Sequence, residues 1–289
     1  MQAAIDRIKL AHEALQVRAP GEKLYIAYSG GKDSDTVAEL ALMAVGSDAV
    51  EMHYSVTGID PPEVTRHINQ RFKAWRARGI ACYSHRPETT MHDLIVKKGL
   101  PTRHRRFCCA FLKEGRGDGR LVLTGVRWAE STNRRNSHDV LTVFNKAKGE
   151  ARHKYSDDND IQRRIIEHCT TRSRITINPI VDWTDADVWK FIRGNGVSYC
   201  PLYDEGFTRL GCIGCPMATT KARQAAFARW PYAKRYYMRA IIQMLVAHPG
   251  WVGAKYGWHT AEDVWHWWMK DGHVSGQVEM ELDGEDDEP

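Results

Sequence analysis

The stretch Leu24-Tyr25-Ile26-Ala27-Tyr28-Ser29-Gly30-Gly31-Lys32-Asp33-Ser34 decides the fold. Its first five residues read as a short buried strand. An Ala/Leu-rich segment over about 34–45 reads as a helix. Between them, Gly30 and Gly31 let the backbone approach an anion closely and take positive φ. The start of the helix adds unpaired amides and a partial positive charge. Ser29 and Ser34 bring hydroxyls, and Lys32 brings a full charge. The hexamer fits neither the dinucleotide pattern G-x-G-x-x-G nor the triphosphatase pattern G-x-x-x-x-G-K-[ST].

Working outward, the pattern predicts a first helix over 1–18 and further strands at 50–56, 80–84, 121–125 and 175–180. Helices are expected at about 61–78, opened by Pro61 and Pro62, and at 185–193, capped by Thr184. Strands alternating with helices at this spacing give an α/β fold: a mainly parallel five-stranded sheet flanked by helices. Residues 133–173 read as an inserted polar loop. A cysteine-rich metal-binding segment and a C-terminal helical appendage complete the expected architecture. The expected boundaries are 1–220 for the α/β domain with its cysteines, 221–278 for the appendage and 279–289 for an acidic, disordered tail. The last 60 residues hold six of the ten tryptophans, so the appendage is expected to use them as core rather than as a base-stacking platform. Thr260 and Asp263 are placed to cap its final helix reciprocally.

No apolar run reaches the ~18 residues of a membrane span, and the charged first helix is no signal peptide. The expected compartment is a reducing cytoplasm. Net charge is +5, but Glu279–Pro289 holds seven acids without Lys or Arg, leaving +12 on residues 1–278. A basic body suits an anionic ligand such as a nucleotide or a nucleic acid. Five of the seven cysteines cluster: Cys108 and Cys109, then Cys200, Cys212 and Cys215. A C-x-x-C turn puts two thiolates on one metal, and four thiolates suit either Zn²⁺ or a [4Fe–4S] cluster. Cys82 and Cys169 have no partners in sequence and are expected to be packed or surface thiols.

Ser29–Ser34 resembles the pyrophosphate-binding loop of the ATP pyrophosphatase superfamily. Four further motifs narrow the resemblance to its phosphoadenosine phosphosulfate reductase-like family. They are C-C-x-x-x-K at 108–113, G-V-R-x-x-E-S-x-x-R at 125–134, N-P-I-x-D-W-T-x-x-D-V-W at 178–189 and P-L-Y-D-E-G-F-T-R-L-G-C-I-G-C at 201–215. The resemblance covers about 20–220. It implies ATP held by Ser29, Gly30, Gly31, Lys32, Asp33 and Ser34, with attack on the α-phosphorus and release of pyrophosphate. Mg²⁺ would bridge the phosphates, with Asp33 as its carboxylate or as a helix-start acid. Gly125, Arg127, Glu130, Ser131 and Arg134 complete the nucleotide site, and the two arginines have the geometry to pair with phosphate oxygens. Lys32, Asp33 and Arg127 are the expected catalytic groups.

The resemblance also implies a [4Fe–4S] cluster rather than zinc. The ligands are Cys108, Cys212 and Cys215 with either Cys109 or Cys200, and the choice leans to Cys200. Sulfonucleotide reductases of the family carry a nucleophilic cysteine near the C-terminus and a degraded phosphate loop. This sequence has no cysteine after Cys215 and an intact loop. The expected function is therefore adenylation of a nucleic acid for sulfur insertion, as DNA phosphorothioation or RNA thiolation, with a cysteine desulfurase as sulfur donor. A sulfonucleotide reductase and a non-catalytic nucleotide-binding module are the alternatives, and the oligomeric state stays open. The basic stretches 97–120 and 133–174 are the expected nucleic-acid contacts.

Overall fold

The structure, a computed structural model, describes residues 1–113, 117–145, 151–155, 174–253 and 257–270. The strands are β1 (Leu24–Ala27), β2 (Val50–Ser55), β3 (Ala81–His85), β4 (Leu121–Leu123), β5 (Leu141–Asn145), β6 (Ala151–Tyr155) and β7 (Arg174–Ile177). The helices are α1 (Gln2–Arg18), α2 (Lys32–Val45), α3 (Pro62–Ala77), α4 (Met91–Lys98), α5 (Phe107–Leu112), α6 (Thr132–Ser137), α7 (Asp185–Gly194), α8 (Thr220–Arg229), α9 (Pro231–Ala247) and α10 (Ala261–Met269). The chain divides into two compact units: Met1–Glu88 with Leu112–Cys212, and Thr89–Phe111 with Ile213–Pro289.

The first unit holds a sheet of order β3-β2-β1-β4-β7-β5-β6. β3, β2, β1, β4 and β7 are mutually parallel and are the five strands expected from sequence. The expected total is too low, because the described residues hold seven strands. The extra pair lies in 133–173, read above as a loop. There α6 forms, and β5 pairs antiparallel with both β6 and β7. Leu141-Thr142-Val143-Phe144 combines two β-branched residues and an aromatic one with a leucine, a composition that suits a strand. The surrounding charges mask its signal. Residues 146–150 and 156–173, with Cys169, and the acidic stretch 279–289 lie outside the described residues.

β1 is a central strand, so Leu24, Tyr25 and Ile26 are all buried and the run is continuously apolar. α1 and α2 pack together. Each buries alanines, Ala4, Ala11 and Ala14 on one and Ala38 and Ala41 on the other, which let helices approach closely. Arg7 of α1 is also buried. It donates to both oxygens of Asp182 at 2.8 and 3.0 Å and to the Pro179 carbonyl at 2.8 Å, fastening α1 to the segment after β7.

Strand order turns around at β1, with β2 and β3 on one side and β4 and β7 on the other. Ligands of such sheets bind beyond the carboxyl ends of the strands at this switch point. The loop 29–34 leaves β1 there, and Gly125–Arg127 follows β4.

In the second unit α4 packs on α9. The His92 amide donates to the Tyr236 hydroxyl at 2.9 Å, and His248 Nε2 lies 2.9 Å from the Val96 carbonyl oxygen. Thr90 and Asp93 form a reciprocal cap on α4, as Thr260 and Asp263 do on α10. Trp265, Trp267 and Trp268 are buried, so they are core as expected. Trp268 stacks on Tyr237 at 5.0 Å, carries the Arg223 guanidinium 4.2 Å from its ring, and donates its indole N–H to the Pro101 carbonyl at 2.8 Å. Among the described residues, no helix is long and apolar enough to cross a membrane.

Candidate nucleotide-binding site

Gly30 sits at φ +72°, and a Cβ there would stand 2.6 Å from Ile68 Cγ1, so only glycine fits. Gly31 caps α2 without a side-chain hydrogen bond. A helix start capped in this way offers first-turn amides to an anion, as a phosphate loop requires. The Lys32 amide donates to the Tyr203 hydroxyl at 2.9 Å. Ser34 donates to the Gly31 carbonyl at 2.8 Å, and its oxygen accepts from the Ser29 amide at 3.2 Å. The hexamer is also clasped at its base. Tyr28, just before it, donates to Asp35, just after it, at 2.6 Å, and His67 of α3 lies 3.0 Å from the same carboxylate.

Beside the loop, four charges close into a ring. Arg127 donates from Nε to Asp33 Oδ1 at 2.7 Å, and an Nη donates to Asp185 Oδ1 at 2.5 Å. Lys32 Nζ lies 3.4 Å from Asp33 Oδ2 and 3.5 Å from Asp185 Oδ1. The other Arg127 Nη donates to the Trp183 carbonyl at 3.2 Å. Arg127 and Lys32 are only 1% and 5% exposed. Burial acts against the charge of Arg127, but the Asp33 and Asp185 carboxylates hold its pKa above the ordinary value. Burial would likewise raise Asp185, yet the Arg127 hydrogen bond and the Lys32 charge bring its carboxyl below the usual range.

Gly125 is essential to this arrangement for steric reasons, since a Cβ there would lie 2.9 Å from the Asp33 carbonyl carbon. Glu130 accepts from the Arg127 amide at 3.2 Å and pairs with Arg134 at 2.7 Å. Ser131 caps α6 by accepting from the Arg134 amide. The structure thus gathers Lys32, Asp33, Gly125 and Arg127 around the loop, and gives Glu130, Ser131 and Arg134 to one another. Sequence reasoning missed Asp185 and Tyr203. Their signals were the residue following the Thr184 cap and the tyrosine of P-L-Y.

The clustered cysteines divide between the units: Cys200 and Cys212 in the first, Cys108, Cys109 and Cys215 in the second. Cys200 is fully buried, and burial raises its thiol pKa. Burial also raises Cys212, whose thiol lies 3.6 Å from Thr57 Oγ1 and 3.9 Å from Asp60 Oδ1, while Lys113 acts to lower it. Gly214, inside the C-x-x-C turn, has φ +77°, and a Cβ there would stand 2.8 Å from Phe227, 3.0 Å from Trp268 and 3.1 Å from Tyr237. An Arg106 Nη lies 3.5 Å from Cys109 Sγ. Cys82 is a packed thiol, pushed up to about 11 by burial. Among the described residues, no three His, Cys, Asp or Glu side chains are grouped as a metal site. The five thiols still supply by number and type the donor set a four-iron cluster takes.

Residues 23–218 match the phosphoadenosine phosphosulfate reductase domain, and the chain belongs to that family. An uncharacterized protein of Methanocaldococcus jannaschii is 27% identical over 74% of this chain, which spans only 39% of that relative's length. An adenosine 5'-phosphosulfate reductase of Bacillus subtilis is 24% identical over 73% of this chain and 80% of its own. Among solved structures, a U34-tRNA thiolase from Methanococcus maripaludis with its [4Fe-4S] cluster aligns with a TM-score of 0.46 and 14% identity, covering 86% of this chain and 80% of that one.

Proposed function

We propose that the protein is an enzyme that binds ATP on Ser29–Ser34, adenylates an oxygen of a nucleic acid with release of pyrophosphate, and so prepares it for sulfur insertion. The observation that carries this reading is the glycine-capped start of α2, with Lys32 beside it and the loop held in shape by the Tyr28–Asp35 clasp. Loop amides and Lys32 would hold the β- and γ-phosphates and stabilise the charge that develops on pyrophosphate as it leaves. The acceptor oxygen attacks the α-phosphorus and the bond to the β-phosphate breaks. The terminal sulfur of a persulfide supplied by a cysteine desulfurase would then displace AMP, and a thiol reductant would cleave the remaining S–S bond to leave the sulfur on the polymer. Because Asp33 is engaged by Arg127 and Lys32, Mg²⁺ would be carried largely by the phosphate oxygens.

Four of Cys108, Cys109, Cys200, Cys212 and Cys215 would hold the [4Fe–4S] cluster. A bound cluster with four thiolate ligands would supply one-electron chemistry. Charge distribution supports a polyanionic substrate. Segments 89–111 and 213–270 of the second unit hold thirteen Lys and Arg against three Asp and Glu, with eight further acids confined to 271–289. A cytoplasmic location fits cysteines that are not joined in disulfides.

The likeness to the Bacillus subtilis reductase over 80% of its length favours one other reading, reduction of a sulfonucleotide. The test is to incubate anaerobically prepared protein with ATP, DNA or RNA, a cysteine desulfurase and labelled cysteine. AMP, pyrophosphate and label in the polymer are expected. ADP and phosphate would overturn the chemistry, and sulfite from phosphoadenosine phosphosulfate would establish the reductase instead.

A further inference from the structure

The ring Lys32–Asp33–Arg127–Asp185 is uneven in its exposure. Its two cations are almost wholly buried and Asp33 is largely so, but the Asp185 side chain is 65% exposed. Asp185 therefore covers the solvent side of both cations. All three guanidinium nitrogens of Arg127 already donate, to Asp33, Asp185 and the Trp183 carbonyl. The Asp185 carboxylate engages both cations that a phosphate oxygen would use, Lys32 at 3.5 Å and Arg127 at 2.5 Å. A carboxylate and a phosphate compete for the same donors with similar geometry.

Asp185 is also the member most easily released. It is the first residue of α7, whose reciprocal cap is built by Thr184 and Asp187. A rotation of the Asp185 side chain breaks its contacts with Arg127 and Lys32 and leaves that cap intact. Asp33, in contrast, lies in the first turn of α2 under the backbone that follows β4.

We propose that Asp185 is a displaceable stand-in for a phosphate group: it neutralises Lys32 and Arg127 in the empty site and swings away when the nucleotide's phosphates bind. This rests on the nucleotide site proposed above. Without it, two buried cations would face solvent with one carboxylate between them. With it, the empty site is neutral, and weak anions gain nothing by entering. Only a ligand with several charged oxygens, able to engage the loop amides as well, repays the displacement.

The test is calorimetric titration of the full chain with inorganic pyrophosphate and with ATP, without Mg²⁺, for the wild type, Asp185→Asn and Asp187→Asn. Asp187 stands two residues away with the same charge and serves as the control for simple charge removal. Asp185→Asn is expected to bind pyrophosphate about tenfold more tightly, the loss of one charge-assisted competitor. Asp187→Asn should stay within about twofold of the wild type, since an exposed charge is screened. In thermal melts, pyrophosphate should raise the midpoint of Asp185→Asn more than that of the wild type, because the ligand replaces the missing carboxylate. Equal or weaker binding by Asp185→Asn, or equal tightening in both variants, overturns the proposal and leaves the nucleotide site standing. No binding of pyrophosphate or ATP by any of the three proteins overturns the site as well.

Discussion

A methyl group at Gly125 would stand 2.9 Å from the carbonyl carbon of Asp33 and 3.0 Å from its Cβ. Backbone cannot yield at that distance as the end of a flexible side chain can. Gly125→Ala is therefore expected to cost about 1–3 kcal/mol, the usual range for overpacking, and to disturb the ring through Asp33. Urea midpoints of the two proteins measure the cost, and an unchanged midpoint would show that the loop after β4 gives way freely. Lys32→Ala removes one charge-assisted contact to phosphate. ATP affinity should fall about tenfold or more, from roughly 1.5–3 kcal/mol. A variant binding ATP as well as the wild type would place the phosphates elsewhere.

Among the elements, α1 is fastened by Arg7 to Asp182. Burial would raise the Asp182 carboxyl, but the Arg7 hydrogen bonds and charge hold it below its ordinary value. A depressed carboxyl stabilises the fold above its unfolded value of about 4, and that contribution is lost as pH falls through the folded value. Arg7→Ala should therefore lower stability by about 1–3 kcal/mol at pH 7 and by less at pH 3. Chemical unfolding of both proteins at both pH values checks it, and an equal penalty would mean that Arg7 acts through packing and its bond to the Pro179 carbonyl rather than through Asp182. The C-x-x-C turn carries its own expectation. Anaerobic protein should contain iron and acid-labile sulfide at about four each per chain, and Cys212→Ser or Cys215→Ser should abolish both. Serine at Cys109 and at Cys200 should be unequal, and the more damaging position is the fourth ligand. Zinc without sulfide would exclude the cluster. The five parallel strands, the cap at Thr184 and the phosphate loop were legible because each announces itself within a few residues. β5 was not, because four β-forming residues sit among charges whose sequence signal is that of a loop. Asp185 was equally hidden, since its importance comes from Lys32 and Arg127, 153 and 58 residues away in the chain.

Across the whole molecule, the two units carry similar net charge, but within the second unit charge is segregated. Its segments 89–111 and 213–270 carry thirteen basic and three acidic residues, and eight further acids lie in 271–289. If this unit contacts nucleic acid, affinity must fall steeply with salt, by about 0.9 in log K per decade for each phosphate met on duplex DNA. Arg235 and Arg239 are exposed on α9, so reversing both to Glu should flatten the slope by about 2. Titrations at several salt concentrations, with the full chain and with one ending at Val278, measure this. Salt-independent binding, or none to either polymer, would remove the nucleic acid from the proposal. The same unit is stitched from two stretches far apart in the chain: Trp268 reaches back 167 residues to Pro101, and His248 reaches back 152 to Val96. On the ribosome, α4 emerges long before α9 and α10 exist. Loop closure on that scale is slow, since the chain must find a distant partner before the contact rewards it. Met91, Leu94 and Ile95, buried in the finished protein, then spend the synthesis of more than a hundred residues without their cover. The second unit is thus completed late, and the apolar face of its amphipathic helix α4 stays uncovered until α9 has been made.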